Sequence, residues 1–200
     1  VRNSTILELL RERAIIDMND QAQEEQDQKS IHLLEELKKY PDGPRDLNTC
    51  FEIFSILHRV LNSREALKRV TREILEDFSK ENVVYLELRT TPRDIYDDEK
   101  TKIVVSKCEY LDTVIQVVKE FEENNDMIVR LLISIDRAKG IADGLANVEL
   151  AHEYNSRMNQ NYVVGIDFSG NPKISSFKEM NAIFELAKSY NLKMTVHIAE

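Results

Sequence analysis

Val164-Gly165-Ile166-Asp167-Phe168-Ser169-Gly170-Asn171-Pro172 is an apolar run that stops in polar and turn-forming residues, and Lys193-Met194-Thr195-Val196-His197-Ile198-Ala199-Glu200 repeats that arrangement one segment later. Between the two, Phe177, Met180, Ile183, Phe184 and Ala187 recur at helical spacing behind a Ser176-to-Glu179 capping-box pattern. A short apolar run, an amphipathic helix and a second short apolar run predict two parallel strands joined by a right-handed crossover.

The same alternation extends upstream. Val83 to Arg89 and Ile128 to Ile135 read as strands, and Tyr162 to Phe168 and Lys193 to Ile198 bring the number to about four. One intervening helix carries Val104, Cys108, Leu111, Ile115 and Val118, and another lies around Leu145 to Met158. Four such strands fit either a small doubly wound sheet or half of an eight-stranded barrel. The strand ends separate the two, because each finishes in polar residues: Arg89-Thr90-Thr91-Pro92-Arg93, Asp136-Arg137, Asp167 with Ser169-Gly170-Asn171-Pro172, and His197 with Glu200. A barrel gathers all such ends into one ring, whereas an open sheet gathers only those beside its switch point. The expected fold is α/β, a partial (β/α)8 TIM barrel of about four strands preceded by helices. A complete barrel runs to about 250 residues. The chain opens on Val1 rather than Met, so residues 1–200 are read as one incomplete domain, mainly helical over 1–82 and strand-helix repeats over 83–200.

In the helical part, Thr5-Ile6-Leu7-Glu8 is a capping-box pattern ahead of Leu9 and Leu10. Asp17 to Lys29 is a polar connection and Pro41-Asp42-Gly43-Pro44 a turn. A second helix presents Phe51, Phe54, His58 and Leu61 on one face, and a third begins at Ser63 with Ala66, Val70, Ile74 and Phe78.

The net charge of −9 disfavours a nucleic acid polymer as partner, since neutralising phosphates needs clustered Lys and Arg. No stretch has the roughly 20 apolar residues of a membrane span. Cys50 and Cys108 lack C-x-x-C spacing, and Cys108 falls on an apolar helical stripe, so a buried, reduced thiol in a cytoplasmic protein is expected.

His197 and Glu200 stand where a strand runs out, a metal-type ligand beside a proton carrier. His-x-x-Glu alone equally describes a hydrogen-bonded structural histidine. His32 and His152 belong to no motif. Glu87 and Arg89 share one strand face by the period of two, which suggests an ion pair between them.

Taken together, Ile166-Asp167-x-x-Gly170, His197-x-x-Glu200 and Val84-Tyr85-Leu86-Glu87-Leu88-Arg89-Thr90-Thr91-Pro92-Arg93 resemble the adenosine deaminase family over about residues 48 to 200. The Thr-Pro-Arg ending, a His in the second helix and Asp-Arg after the next strand are similar to its adenosine deaminase-like branch, which acts on N6-methyl-AMP. The resemblance implies a metal-dependent hydrolase barrel with one zinc per full-length chain. His197 would be a zinc ligand, and Glu200 the acid that protonates the purine ring while water activated by the metal displaces an amine at C6. Gly170 would lie against the base, and Asp136 and His58 would contact substrate. Thr90, Thr91, Pro92 and Arg93 would hold a 5'-phosphate, since hydroxyls donate hydrogen bonds and a guanidinium fork matches phosphate oxygens.

The family's H-x-H pair on the first strand, and its further His and Asp-Asp, have no counterparts in these residues, so the ligand set is incomplete and the 200 residues alone are expected to be inactive. For the full-length protein the expectations are a monomer, a small purine nucleotide as partner, no nucleic acid polymer and no membrane. Alternatives are deamination of free adenosine, or a shortened, metal-free homologue without catalysis. The cytidine deaminase fold is excluded by the absence of P-C-x-x-C.

Overall fold

Strands β1 (Tyr85–Thr90), β4 (Ile128–Asp136), β5 (Val163–Ser169) and β6 (Lys193–Val196) form one sheet, every neighbouring pair parallel, in the order β1-β4-β5-β6. Two further strands, β2 (Ile95–Tyr96) and β3 (Ile103–Val105), make a separate antiparallel pair. In the main sheet, order in space therefore follows order in the chain. Each strand is added on the same side of the last, with no reversal and so no switch point, which is the winding of a (β/α)8 barrel rather than of a doubly wound sheet. The coordinates are a computed structural model that describes residues 3–16, 32–33, 35–36, 39, 44–96, 101–156 and 162–198. Among the described residues no helix is long and apolar enough to cross a membrane.

The chain divides into two units, Val1–Ile74 and Leu75–Glu200. In the first, α1 (Asn3–Ile16) and α2 (Leu47–Val60) pack through a cluster of Ile6, Leu10, Leu33, Ile56 and Val60. The face of α2 expected to be covered is not the covered one: Phe54 and His58 are exposed while Ile56 and Val60 are buried. Two apolar stripes run down that helix at helical spacing, and packing against α1 selects the one through Ile56. The Thr5–Glu8 capping box is absent too. Thr5 lies inside α1, buried, donating to Glu73, and Glu8 pairs with Arg69. Helix α3 (Arg64–Lys80) starts as expected, with Ser63 Oγ accepting from the Ala66 amide at 3.1 Å. The polar connection Asp17 to Lys29 lies outside the described residues, as do Pro41, Asp42 and Gly43 of the turn.

In the second unit α4 (Lys107–Glu122), α5 (Gly140–Ser156) and α6 (Asn181–Ser189) alternate with the strands. The α4 helix starts later than the apolar spacing implied, because Val104 belongs to β3 and Ser106 with Glu109 forms a capping box that sets the first turn. Cys108 sits in that first turn and is exposed, one turn ahead of the buried stripe of Leu111, Val114, Ile115 and Val118. Strand β4 is the centre of the core, with Val129, Leu131, Leu132, Ile133 and Ile135 all buried and α5 packed over it and over β5. A strand covered on both faces reads as a continuous apolar run, which is how it stands in the sequence.

Candidate active site

Parallel register puts Ser134, Asp167 and Thr195 side by side across β4, β5 and β6, a polar row across three strands. Asp167 is its centre and is only 1% exposed. Its Oδ1 accepts from Arg89 Nε of β1 at 3.1 Å and from Thr195 Oγ1 of β6 at 2.5 Å. A charge taken out of water needs such partners. The anticipated Glu87–Arg89 pair does not form: Arg89 turns to Asp167, and Glu87 accepts from Tyr85 at 3.0 Å. A buried carboxylate, cut off from water, competes better for the guanidinium than an exposed one.

His197 follows β6 directly. Its amide donates to Phe168 O at 2.9 Å, and its ring Nδ1 lies 3.3 Å from that same carbonyl and 3.2 Å from Asp167 Oδ2. The second approach is close enough for charge attraction but is off the line of a hydrogen bond, so Oδ2 is a buried oxygen with no hydrogen-bond partner among the described residues. With Nδ1 turned inward, Nε2 is the nitrogen left for an outside ligand. Glu200, which the sequence pairs with His197, lies outside the described residues.

Asp136 and Gly170 are brought together. Gly170 has φ +91°, and a Cβ there would stand 2.2 Å from Asp136 Oδ1. Glycine is thus required twice, by its backbone angle and by the carboxylate in its place. The same Oδ1 accepts from the Ala138 amide at 3.0 Å, so Asp136 closes the 3-10 turn Arg137–Lys139 that follows β4.

Beyond the end of β1, Thr90 Oγ1 is 3.1 Å from the Tyr110 hydroxyl, Pro92 is buried, and the Arg93 guanidinium lies over the Tyr110 ring at 5.8 Å. Burial pulls the Arg93 pKa below its ordinary value, with the Tyr110 hydroxyl acting in the opposite direction. Asp94 fastens the same loop to the start of α4 by accepting from the Lys107 amide at 2.9 Å. Thr91 is half-buried between Thr90 and Pro92. The expected site residues thus form two groups on the C-terminal edge of one sheet, His197 with Gly170 and Asp136, and Thr90 to Arg93. His58 lies on α2, in the other unit, exposed.

Sequence reasoning quoted Asp167, Arg137 and Thr195 within its strand-end stretches but gave them no role, and it passed over Tyr110 altogether. Asp167 left a signal, an ionisable residue between Ile166 and Phe168 in a strand otherwise apolar enough to be buried on both sides. Among the described residues no three His, Cys, Asp or Glu side chains gather as a metal cluster. What is present fits one corner of a zinc site: an imidazole with one nitrogen directed inward and a buried carboxylate behind it.

A family model described as Adenosine deaminase matches residues 2–200. The chain is 32% identical over 157 residues to the N6-Methyl-AMP deaminase of Danio rerio, covering 78% of this chain and 43% of that protein. It is 32% identical over 225 residues to the N6-mAMP deaminase of Arabidopsis thaliana, covering 100% of this chain and 57% of that one. The structure of Arabidopsis ADAL complexed with GMP superposes with a TM-score of 0.78 at 33% identity, over 98% of this chain and 54% of the other. The chain therefore spans about half the length of the curated relatives it matches.

Proposed function

The chain belongs to the adenosine deaminase family, and on that premise we propose that the protein is a zinc-dependent hydrolase removing the amine from N6-substituted purine nucleoside monophosphates, N6-methyl-AMP giving IMP and methylamine. The observation that carries this reading is the junction of His197, Gly170 and Asp136 at adjacent ends of a singly wound parallel sheet. It is supported by relatives named for that activity and by a neighbour bound to a nucleotide.

In this proposal His197 holds zinc through Nε2, and the metal when bound supplies an activated water. The remaining work falls to the chain's own groups. Gly170, with no side chain, lets a flat base approach the backbone, and Asp136 beside it offers a carboxylate oxygen to the ring. Glu200 carries a proton to the purine ring. His58 is retained as a substrate contact from the sequence pattern alone. Thr90, Thr91 and Arg93 hold the 5'-phosphate, with Pro92 fixing the loop between them. A guanidinium whose burial disfavours its charged form gains more from an anion than one in water, which suits Arg93 to that task.

The test uses the full-length protein with N6-methyl-AMP and adenosine as alternative substrates. His197→Gln is expected to abolish amine release from both. Arg93→Ala is expected to lower kcat/KM for the monophosphate by about 100-fold, with little change for the nucleoside. Equal losses on both substrates would remove the phosphate role, and full activity of His197→Gln would remove the metal role.

A further inference from the structure

Arg137 follows Asp136 at the end of β4, yet its side chain turns inward and the residue is only 7% exposed. Its Nε donates to Ser169 O at 3.2 Å and its Nη2 to His197 O at 3.3 Å, while the guanidinium lies over the Phe168 ring at 4.6 Å. Its own carbonyl accepts from Ser175 Oγ at 3.3 Å. One side chain from the turn after β4 thereby grips the last residue of β5 and the residue just beyond β6 at once.

The consequence is clearest at His197. The amide of that residue is held by Phe168 O, its ring Nδ1 faces Phe168 O and Asp167, and its carbonyl is held by Arg137. Strand β6 stops at Val196, and among the described residues the contact made by the His197 carbonyl is the one from Arg137 rather than a rung of the sheet ladder. Fixing both the amide and the carbonyl fixes the Cα–Cβ direction, and with it where Nε2 points. The second acceptor, Ser169 O, precedes Gly170, so the same fork sets the spacing between the histidine and the glycine that faces Asp136.

We propose that Arg137 is a positioning residue: it touches neither substrate nor metal, and it sets the direction of the His197 imidazole by clamping the carbonyls of Ser169 and His197. The proposal rests on His197 being a metal ligand. A two-pronged planar donor is needed, because a single ammonium cannot reach both carbonyls in fixed geometry. Groups that orient a ligand in this way typically contribute about 10- to 100-fold in metal affinity.

The experiment measures zinc affinity of the full-length protein by competition with a chromophoric chelator, alongside thermal unfolding of the metal-free form and the imidazole 15N shifts of His197. Arg137→Gln is expected to weaken zinc by about tenfold or more and to move the His197 shifts. Arg137→Lys keeps the charge and much of the stem, so it is expected to unfold near the wild-type temperature while still weakening zinc; it carries the test if Arg137→Gln does not fold. Phe168→Leu removes the ring beneath the guanidinium and is expected to lower the unfolding temperature with zinc affinity nearly unchanged. Zinc bound by Arg137→Lys as tightly as by wild type, with unshifted His197 signals, overturns the proposal. His197→Gln with unchanged zinc affinity overturns it differently, by removing the ligand role on which it depends.

Discussion

The ends of β5 and β6 and the end of β1 carry similar polar side chains, but they are held in different ways. Around His197 the partners are a buried carboxylate, backbone carbonyls and a buried guanidinium, reached from four strands. Around Thr90 and Arg93 they include one tyrosine on a helix and one amide reached through Asp94. The first arrangement fixes the direction of a single ring, as a metal ligand requires. The second places hydroxyl and guanidinium donors on a short loop, the arrangement that the proposed anion contact calls for. One sheet edge thus combines a rigid corner with a compliant one, and losses of affinity and of stability should divide along that line.

The largest effect is expected at the rigid corner. Asp167→Ala removes the acceptor of both Arg89 and Thr195 and leaves their donors without it; since Arg89 is 46% exposed and therefore partly screened, the loss is put at about 3 kcal/mol in denaturant unfolding. A loss below about 1 kcal/mol would mean that the polar row is not a structural centre.

Gly170→Ala comes next. It forces a side chain into a left-handed backbone and against Asp136 Oδ1, with an expected cost of about 2 kcal/mol. The double variant Gly170→Ala/Asp136→Ala sharpens the point: relief of the clash should recover part of that cost and leave the backbone strain, and strict additivity would show that the carboxylate is not what fills the space.

At the compliant corner Tyr110→Phe keeps the ring under Arg93 and removes the hydroxyl near Thr90. The expected stability loss is about 1 kcal/mol or less. KM for the monophosphate should rise severalfold while kcat and the nucleoside constants stay put. An equal change in kcat for both substrates would place Tyr110 with the rigid corner and end the distinction.

The strands were legible because β4 and β5 are buried on both faces and so read as unbroken apolar runs. The strand tips were legible because polar residues cannot continue such a run. Helix faces were less so. Phe54 and Ile56 both sit on helical stripes of α2, and only the packing of Ile6 and Leu10 decides between them. The β2–β3 pair was hidden by its shortness, since two or three residues carry no period. Arg89 was assigned to its neighbour in the chain because the competing carboxylate, Asp167, is distant in sequence and adjacent only once the strands pair. Arg137 was noted only as half of an Asp-Arg strand end, and its task stayed hidden for a related reason: its partners are backbone carbonyls, which every residue possesses and no sequence marks.

The most direct measurement is methylamine release from N6-methyl-AMP by the full-length protein, before and after removal of bound metal by a chelator and after return of zinc alone. A zinc site at the strand tips predicts release that falls to background on chelation and recovers with zinc in wild type, with neither release nor recovery in His197→Gln. Undiminished release from the metal-free protein would contradict it.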